Sequence, residues 1–468
     1  MSTQLDYSVT VATEYHIEQK SQKVVTDYFD SVEVNFKQKL IIFLLAFGLF
    51  FDFMDTTNFS IVTPFLVKTW NITLDQVGYI NASFFIGMFL GGILGGYLAN
   101  HFGRKPIILG SIFLFSVASV CNGFSNGYLS FLILRLFTGI GSASLIVVAN
   151  LYLAEILPNK SRGRWLSLVF GLGFLAVPLI SIINKYIAVN GDDAWRILYF
   201  LGGLGIVAFA LGLVYIKESP RWLVTKERVS EAESIIKNLT GYEADLSGKT
   251  NKSATKVSVI EVIKEIFKKN HIRKTGVLMS IFWLGYPSYL TLIYWLPVLF
   301  SQKGFSLEDT NNFSVFFAVS LSIAPYFAAL ISDWGGRKWV IVALYALAAL
   351  FAVIYGQLET KTIIFIFASL LLFAVQSVTP ITSTYLTELY PTHLRSSAVG
   401  FIYSISRLFV AFVQLLIAKI IAGYGQIGVF IYLGFTFIVP AILVAIWGIK
   451  TSGQSLEAIE GNEIQSSN

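Results

Sequence analysis

Four ionisable residues, Asp52, Asp55, Arg135 and Arg407, each sit deep inside a long apolar stretch of the chain. A charge held at the middle of a bilayer costs about 2.5–3.5 kcal/mol on insertion scales, so a residue of this kind is a functional candidate by default. Asp52 and Asp55 are three residues apart, which puts both carboxylates on one face of a helix. Burial favours a protonated carboxyl and a neighbouring guanidinium favours the ionised form, so a partner that moves switches the group between proton uptake and release. Asp52, Asp55 and Arg135 are therefore the proton-coupling candidates; the structural alternative is a fixed salt bridge that locks two helices. Arg407 offers a planar fork that matches the two oxygens of a carboxylate. Its alternative role is a structural partner for Asp52 or for a helix carbonyl.

Aromatic side chains with polar tips suit a ring-shaped solute, and Tyr286, Tyr289 and Tyr294 fall at mid-stretch beside Trp295, with Gln376, Ser377 and Thr379 at similar depth farther along. With Arg407 these form the substrate-binding set; packing or a place in the interfacial belt is the alternative for each. Other chemistries find little support. One cysteine, Cys121, and four histidines leave no basis for a thiolate or histidine metal site, so no metal and no cofactor are expected. No phosphate-cradling loop ending in Lys-Ser or Lys-Thr is present, and no Ser-His-Asp set can be placed on one side of a membrane, which excludes ATP-driven transport and hydrolysis. Asn71-Ile72-Thr73 and Asn312-Phe313-Ser314 match glycosylation sequons.

The elements that must carry these residues follow from composition. Of 468 residues, 55% are hydrophobic and 13% charged, and the apolar residues fall in blocks long enough to cross roughly 30 Å of hydrocarbon. The pattern predicts an all-α polytopic membrane protein with spans at about 40–66, 78–98, 106–125, 128–153, 165–187, 196–217, 275–300, 312–332, 339–357, 362–388, 398–422 and 428–449. On this layout residues 1–39 are an N-terminal tail without a signal peptide, 40–217 a first six-helix bundle, 218–274 a central loop, 275–449 a second bundle and 450–468 a C-terminal tail. Twelve spans put both termini on one side. The net charge of +6 is not a nucleic-acid footprint, because the short loops of that side hold Arg104, Lys105, Lys160, Arg162, Arg164, Arg337, Lys338 and Arg395 and the segment from Lys217 to Lys274 holds thirteen more basic residues. The positive-inside rule then places both termini in the cytoplasm of a cell whose plasma membrane the chain spans. Within the central loop, Glu227–Leu239 and Val257–Phe267 have helical spacing of apolar residues.

An internal repeat is the strongest organising signal. Tyr152-Leu153-Ala154-Glu155-Ile156-Leu157-Pro158 recurs as Tyr385-Leu386-Thr387-Glu388-Leu389-Tyr390-Pro391, and Gly103-Arg104-Lys105 as Gly336-Arg337-Lys338, both at an offset of 233 residues. One displacement shared by two motifs implies two six-helix halves in parallel orientation, the build of alternating-access transporters. The same offset maps Asp52, Asp55 and Arg135 onto Gly285, Ser288 and Ala368, so the ionisable cluster belongs to the N-terminal half alone. The charge motifs Arg104, Glu155, Arg162, Glu218, Arg221, Asp333, Arg337, Glu388 and Arg395 sit at the termini-side ends of spans, where a network would break and re-form as the halves rock.

With these residues in view, the chain resembles the major facilitator superfamily, within its sugar-porter and metabolite (aromatic acid)–proton symporter group. Gly96–Lys105 is similar to that superfamily's loop signature after span two and Asp333–Lys338 to its second copy. Arg135–Gly141, Glu218–Leu223 and Lys450–Glu457 are similar to its marks in span four, after span six and after span twelve. Asn100 departs from the usual Asp. Asp52-Phe53-Met54-Asp55 resembles the paired-Asp motif of aromatic-acid symporters, whereas span seven lacks the Gln-Gln and Asn that hexose porters use, and span five lacks the Gly-Pro-x-x-Gly-Gly of antiporters. The resemblance implies proton-coupled symport of a small organic solute, an organic or aromatic acid foremost, by a monomer in a lipid bilayer with the proton gradient as driving force. A sugar–proton symporter, a proton-independent facilitator and a transporter-like nutrient sensor are the alternatives.

Overall fold

The computed structural model describes residues 28–187, 193–246, 264–268, 271–331, 336–390 and 392–450, together with Val25 and Gly191. Among these residues every regular element is a helix. The spans are Phe36–Trp70, Leu74–Phe102, Arg104–Gly123, Tyr128–Ile156, Lys160–Ile187, Arg196–Tyr215, Ile272–Gln302, Leu307–Ile331, Arg337–Gly356, Lys361–Leu389 and a last run, Thr392–Trp447. That run is two spans: Gly425, with φ 62° and ψ −157°, leaves helical geometry between them. Twelve spans result, as the hydropathy blocks predict, most of them extended by a few residues at their ends.

Breaks inside spans fall near proline, which lacks a donor, or at glycine, which lets the backbone depart from the helix. The fifth span is divided at Leu175, ahead of Pro178, and the sixth is divided between Gly202 and Gly205. In the seventh, Ser280–Gly285 forms a π turn directly before Pro287. A proline ring displaces the carbonyl four residues earlier, and a widened turn absorbs that displacement without abandoning the helix. On the termini side, Val229–Thr240 forms the surface helix expected over Glu227–Leu239. The second helix expected there, Val257–Phe267, lies mostly outside the described residues.

In lipid, apolar burial does not drive helices together, so close packing must do so. The second and fourth spans meet backbone to backbone. A Cβ added at Gly87 would lie 2.2 Å from the Leu136 carbonyl oxygen, and one at Gly91 would lie 2.2 Å from that of Ile140. Gly139 answers from the fourth span, where a Cβ would come within 2.1 Å of the Phe84 carbonyl. This contact fixes the depth and rotation of the span that carries Arg135.

The two halves join on the face away from the termini. Ser60 Oγ donates to the Ile293 carbonyl at 2.5 Å, the Phe85 and Tyr294 rings meet edge to face at 5.4 Å, and Gly78 abuts the Gln414 backbone. The eighth span also packs on Ala176–Ile187, the far-side part of the fifth. On the termini side the ion pairs Arg104–Glu155 and Arg337–Glu388 each stay within one half. The structure is thus closed on the far side.

Gly91→Val is expected to destabilise the purified protein by about 1–3 kcal/mol or to prevent its accumulation, because the extra atoms have no room at a backbone crossing. Gly92→Val, where nothing lies within 4 Å of an added Cβ, is the control. Thermal melts in detergent check it; equal melting of the two variants would mean that the crossing is not tight.

Candidate functional site

The first span begins at a capping box, in which Asn35 accepts from the Gln38 backbone N–H and the Gln38 side chain accepts from that of Asn35. Gln38 Nε2 also donates to the Ile156 carbonyl at 2.8 Å, tying the start of span one to the end of span four. From that anchor Asp52 and Asp55 lie about 21 and 26 Å along a helix rising 1.5 Å per residue, near its middle. Both carboxylates face the fourth span. Asp55 Oδ2 accepts from Arg135 NH1 at 2.9 Å, with both side chains fully buried. Asp52 Oδ2 accepts from Ser142 Oγ at 3.0 Å, and Ser142 is two turns from Arg135 on the same helix.

Ser119 on the third span completes the cluster. Its Oγ is 2.5 Å from Asp55 Oδ1 and 2.9 Å from the Tyr199 carbonyl. The Arg135 guanidinium lies 4.3 Å from the centre of the Phe84 ring and 5.1 Å from that of Phe59. Its Nε and NH2 have no hydrogen-bond partner, and neither does Asp52 Oδ1. One ion pair therefore carries most of the compensation for two buried charges, held by aromatic faces instead of a saturated polar shell. Removing one member of such a pair strands the other in a low-dielectric site.

Across the interface, Arg407 NH1 donates to the Tyr286 hydroxyl, and the guanidinium sits 4.9 Å from that ring's centre. Tyr286 and Tyr289 line a cavity of about 110 Å³ within the C-terminal half, walled also by Phe282, Tyr345, Thr379 and Tyr403. Tyr294 is buried against Phe85 and lies within electrostatic reach of Arg135, Arg407 and Asp52, so it stands between the two groups of residues. Gln376 is buried with Oε1 unpartnered. Ser377 is engaged in packing: its Oγ donates to Phe373 at 2.7 Å and reaches the Ala324 carbonyl at 3.3 Å. The repeat explains this, since Ser144, 233 residues earlier, donates to the Gly91 carbonyl at 2.7 Å.

The termini-side charges assemble within each half. Arg104 grips Glu155 through Nε at 3.0 Å and NH2 at 2.8 Å, and donates from NH1 to the Ala99 carbonyl. Glu218 caps the third span, accepting from the backbone N–H of Arg104 at 2.7 Å and of Lys105 at 3.3 Å. Gly103 adopts φ 105°, and a Cβ there would lie 2.2 Å from Glu218 Oε2, so only glycine fits. Gly336 repeats the positive φ at 75°, and Arg337 pairs with Glu388. Arg162 and Arg221 form a further group with Asp30 from the N-terminal segment; burial lowers the Arg221 guanidinium, with Glu155 opposing the shift. Asp333 and the side chain of Arg395 lie outside the described residues.

Ser119, Ser142, Tyr345 and Tyr403 are site residues that pattern reading misses, as is the N-terminal segment. There Phe29 is buried, and the Tyr28 hydroxyl exchanges hydrogen bonds with both backbone groups of Asp245. Tyr345 opposes Gly285, where a Cβ would lie 2.5 Å from its hydroxyl, a relation that only the packing of the two spans reveals.

Residues 17–462 match the family model described as sugar (and other) transporter. The niacin transporter NiaP of Acinetobacter baylyi is 24% identical over 90% of this chain and 95% of its own length. The 4-hydroxybenzoate transporter PcaK of Pseudomonas aeruginosa is 26% identical over 78% of this chain and 82% of its own. Among solved structures, the xylose transporter XylE from E. coli in an inward-open conformation superposes with a TM-score of 0.73 at 22% identity, covering 90% of this chain and 99% of that one. The fold and the family are those of membrane transporters, and the chain belongs to the sugar (and other) transporter family of the major facilitator superfamily.

Proposed function

We propose that this transporter is a proton-coupled symporter of a small organic acid, with an aromatic monocarboxylate the best-suited substrate, working as a monomer by alternating access in the plasma membrane. The carrying observation is the fully buried Asp55–Arg135 pair, which the N-terminal half possesses and the C-terminal half lacks. A carboxylate whose only charged partner can be drawn away is a proton carrier, and Asp52 beside it supplies a second acid. Tyr294 faces this cluster from the other half and has the Arg407–Tyr286 pair on its other side, where a guanidinium over an aromatic ring suits a flat anion. The niacin and 4-hydroxybenzoate relatives support a substrate of that shape. The basic short loops favour the termini side as cytoplasm, so the structure corresponds to the state closed to the outside. In that state the Asp55–Arg135 pair is made, which fits a carrier that has given up its proton inward.

Uptake into proteoliposomes tests this reading. A labelled panel of niacin, 4-hydroxybenzoate, a dicarboxylate and xylose is offered with and without an inside-alkaline pH gradient. The wild type is expected to accumulate an aromatic carboxylate under the gradient, whereas Asp55→Asn loses accumulation and keeps counterflow exchange. Gradient-blind equilibration in both proteins would leave a facilitator, and accumulation of xylose alone would make this a sugar symporter.

Arg407→Ala is expected to weaken the apparent affinity for the carboxylate by about 10- to 100-fold, the range of a charge-assisted hydrogen bond, with little effect on the corresponding amide. Equal losses for acid and amide would assign Arg407 to helix packing.

A further inference from the structure

Beyond Asp55, toward the far face, the N-terminal half holds a run of buried polar atoms that no protein group satisfies. Asn58, one turn past Asp55, is fully buried; its Nδ2 donates to the Leu198 carbonyl at 2.7 Å and its Oδ1 has no partner. Asn122, one turn past Ser119, is fully buried with both Oδ1 and Nδ2 unpartnered. On the sixth span and just before it, the Tyr199 hydroxyl and Trp195 Nε1 are in the same condition. Gly202, about one turn past Tyr199 on the sixth span, packs where the first and third spans meet. A Cβ at Gly202 would lie 2.7 Å from Ser119 Oγ, 3.4 Å from Asp55 Cβ and 3.5 Å from Asn58 Nδ2.

Orphaned polar groups are rare in native interiors and more costly in a membrane, so several in one seam point to a shared occupant. Acceptors (Asn58 Oδ1, Asn122 Oδ1), donors (Asn122 Nδ2, Trp195 Nε1) and a hydroxyl that is both describe a small neutral molecule with both capacities. The seam's one carboxylate is already paired with Arg135, which disfavours a metal cation. Water fits. We propose that the seam between spans one, three and six holds a file of ordered water through which Asp55 exchanges its proton with the far face, apart from the substrate cavity, with Ser119 as the last relay.

The inference rests on the proton-coupled reading above. Ser119 and Asn122 are about 4.5 Å apart along the third span with Ser125 just past its end, and one water with a hydrogen bond on each side bridges about 5.6 Å. The outer end is polar: Arg196 donates to the Gly123 and Ser125 carbonyls and pairs with Asp193, whose side chain is 76% exposed. At the inner end, Ser119 passes its own hydroxyl proton to Asp55 Oδ1 as it takes one from the file, so one proton moves inward and the serine is regenerated. With the carboxyl protonated, the hydroxyl turns to donate to the Tyr199 carbonyl, its other neighbour at 2.9 Å. The charged and titratable groups around Asp55 are Arg135 from the fourth span, Asp52 on its own, Tyr199 on the sixth and, across the interface, Tyr294. All but Tyr294 belong to the half that contains the seam, so rocking leaves the file intact and the Arg135 pair is the gate.

Two measurements on the full-length protein test it. In X-ray hydroxyl-radical footprinting, Tyr199 and Trp195 are expected to be oxidised despite their burial, because bound water is the radical source, whereas the equally buried Tyr152 and Trp295 stay inert. Asn122→Leu, and independently Asn58→Leu, should protect Tyr199 and Trp195. If these two are as inert as the controls in the wild type, there is no water file. In proteoliposomes, the same leucine variants should slow gradient-driven uptake of the best panel substrate by about tenfold or more with counterflow unchanged, and Asn122→Ser should restore it. Wild-type accumulation in both leucine variants, alongside loss in Asp55→Asn, would overturn the file and leave the symport reading standing. Persistent accumulation in Asp55→Asn would overturn that reading itself.

Discussion

Everything in the N-terminal half is arranged around one constraint: two opposite charges, Asp55 and Arg135, held together with no exposure to solvent. Their mutual attraction offsets a desolvation cost of several kcal/mol per ion only if the contact is short and the neighbours do not move. The surrounding structure meets both conditions. The capping box and the Gln38 tether set the depth of the first span, and the glycine crossing of the second and fourth spans sets that of Arg135. Phe84 lies beside the Gly87 crossing and gives the guanidinium an aromatic face. Packing and electrostatics are here one arrangement: a shift at the crossing would move a charge.

The repeat shows what was specialised. Both halves keep the same hardware on the termini side, with glycines of positive φ at 103 and 336 and the arginine–glutamate pairs 104–155 and 337–388. Tyr152 and Tyr385 also play one part, each donating from its hydroxyl to a backbone carbonyl near the end of its half, Lys217 and Ile449. Toward mid-span the halves diverge. Where the first half has Asp52, the second has Gly285 with the Tyr345 hydroxyl beside it, and where the first has Asp55, the second has Ser288 bonded to Thr436 at 2.6 Å. A scaffold repeated twice thus holds acids in one copy and neutral hydroxyls in the other.

The twelve spans were legible because hydrocarbon thickness imposes a length that composition cannot disguise, and the ion pair because a charge in an apolar block must find a partner. The internal offset even anticipated which half would carry it. Ser119 and Ser142 were not legible. A serine in a helix is compatible with solvent, with a back-bond to its own helix or with a neighbour's carboxylate, and only the rotation of the third and fourth spans decides among these. The same ambiguity holds for Ser377, a substrate candidate whose hydroxyl donates to the Phe373 carbonyl of its own helix and reaches the Ala324 carbonyl. Tyr345 escaped because its relevance comes from the absence of a side chain at Gly285, two spans away. The N-terminal segment escaped because a short stretch such as Tyr28–Asn35 has no periodicity to read, although Phe29 is fully buried.

The glycines that crowd the second and fourth spans have no counterpart in the other half, and this difference follows from the chemistry. Gly87, Gly91, Gly95 and Gly139 map at the repeat offset onto Ser320, Ala324, Ala328 and Leu372. A half that must hold a buried ion pair gains from backbone contact, since side chains between helices would bring freedom that the charges cannot tolerate. The other half keeps side chains able to adjust, its cavity walled by tyrosines and threonines beside a π turn ahead of Pro287. Rigidity therefore sits where charge is buried, and adaptability where the cavity lies. The contacts at Ser60–Ile293 and Phe85–Tyr294 join the two on the far side. Each is directional, one carbonyl hydrogen bond and one ring edge, and with the Gly78–Gln414 approach and the eighth span on the fifth they set the register in which the halves meet.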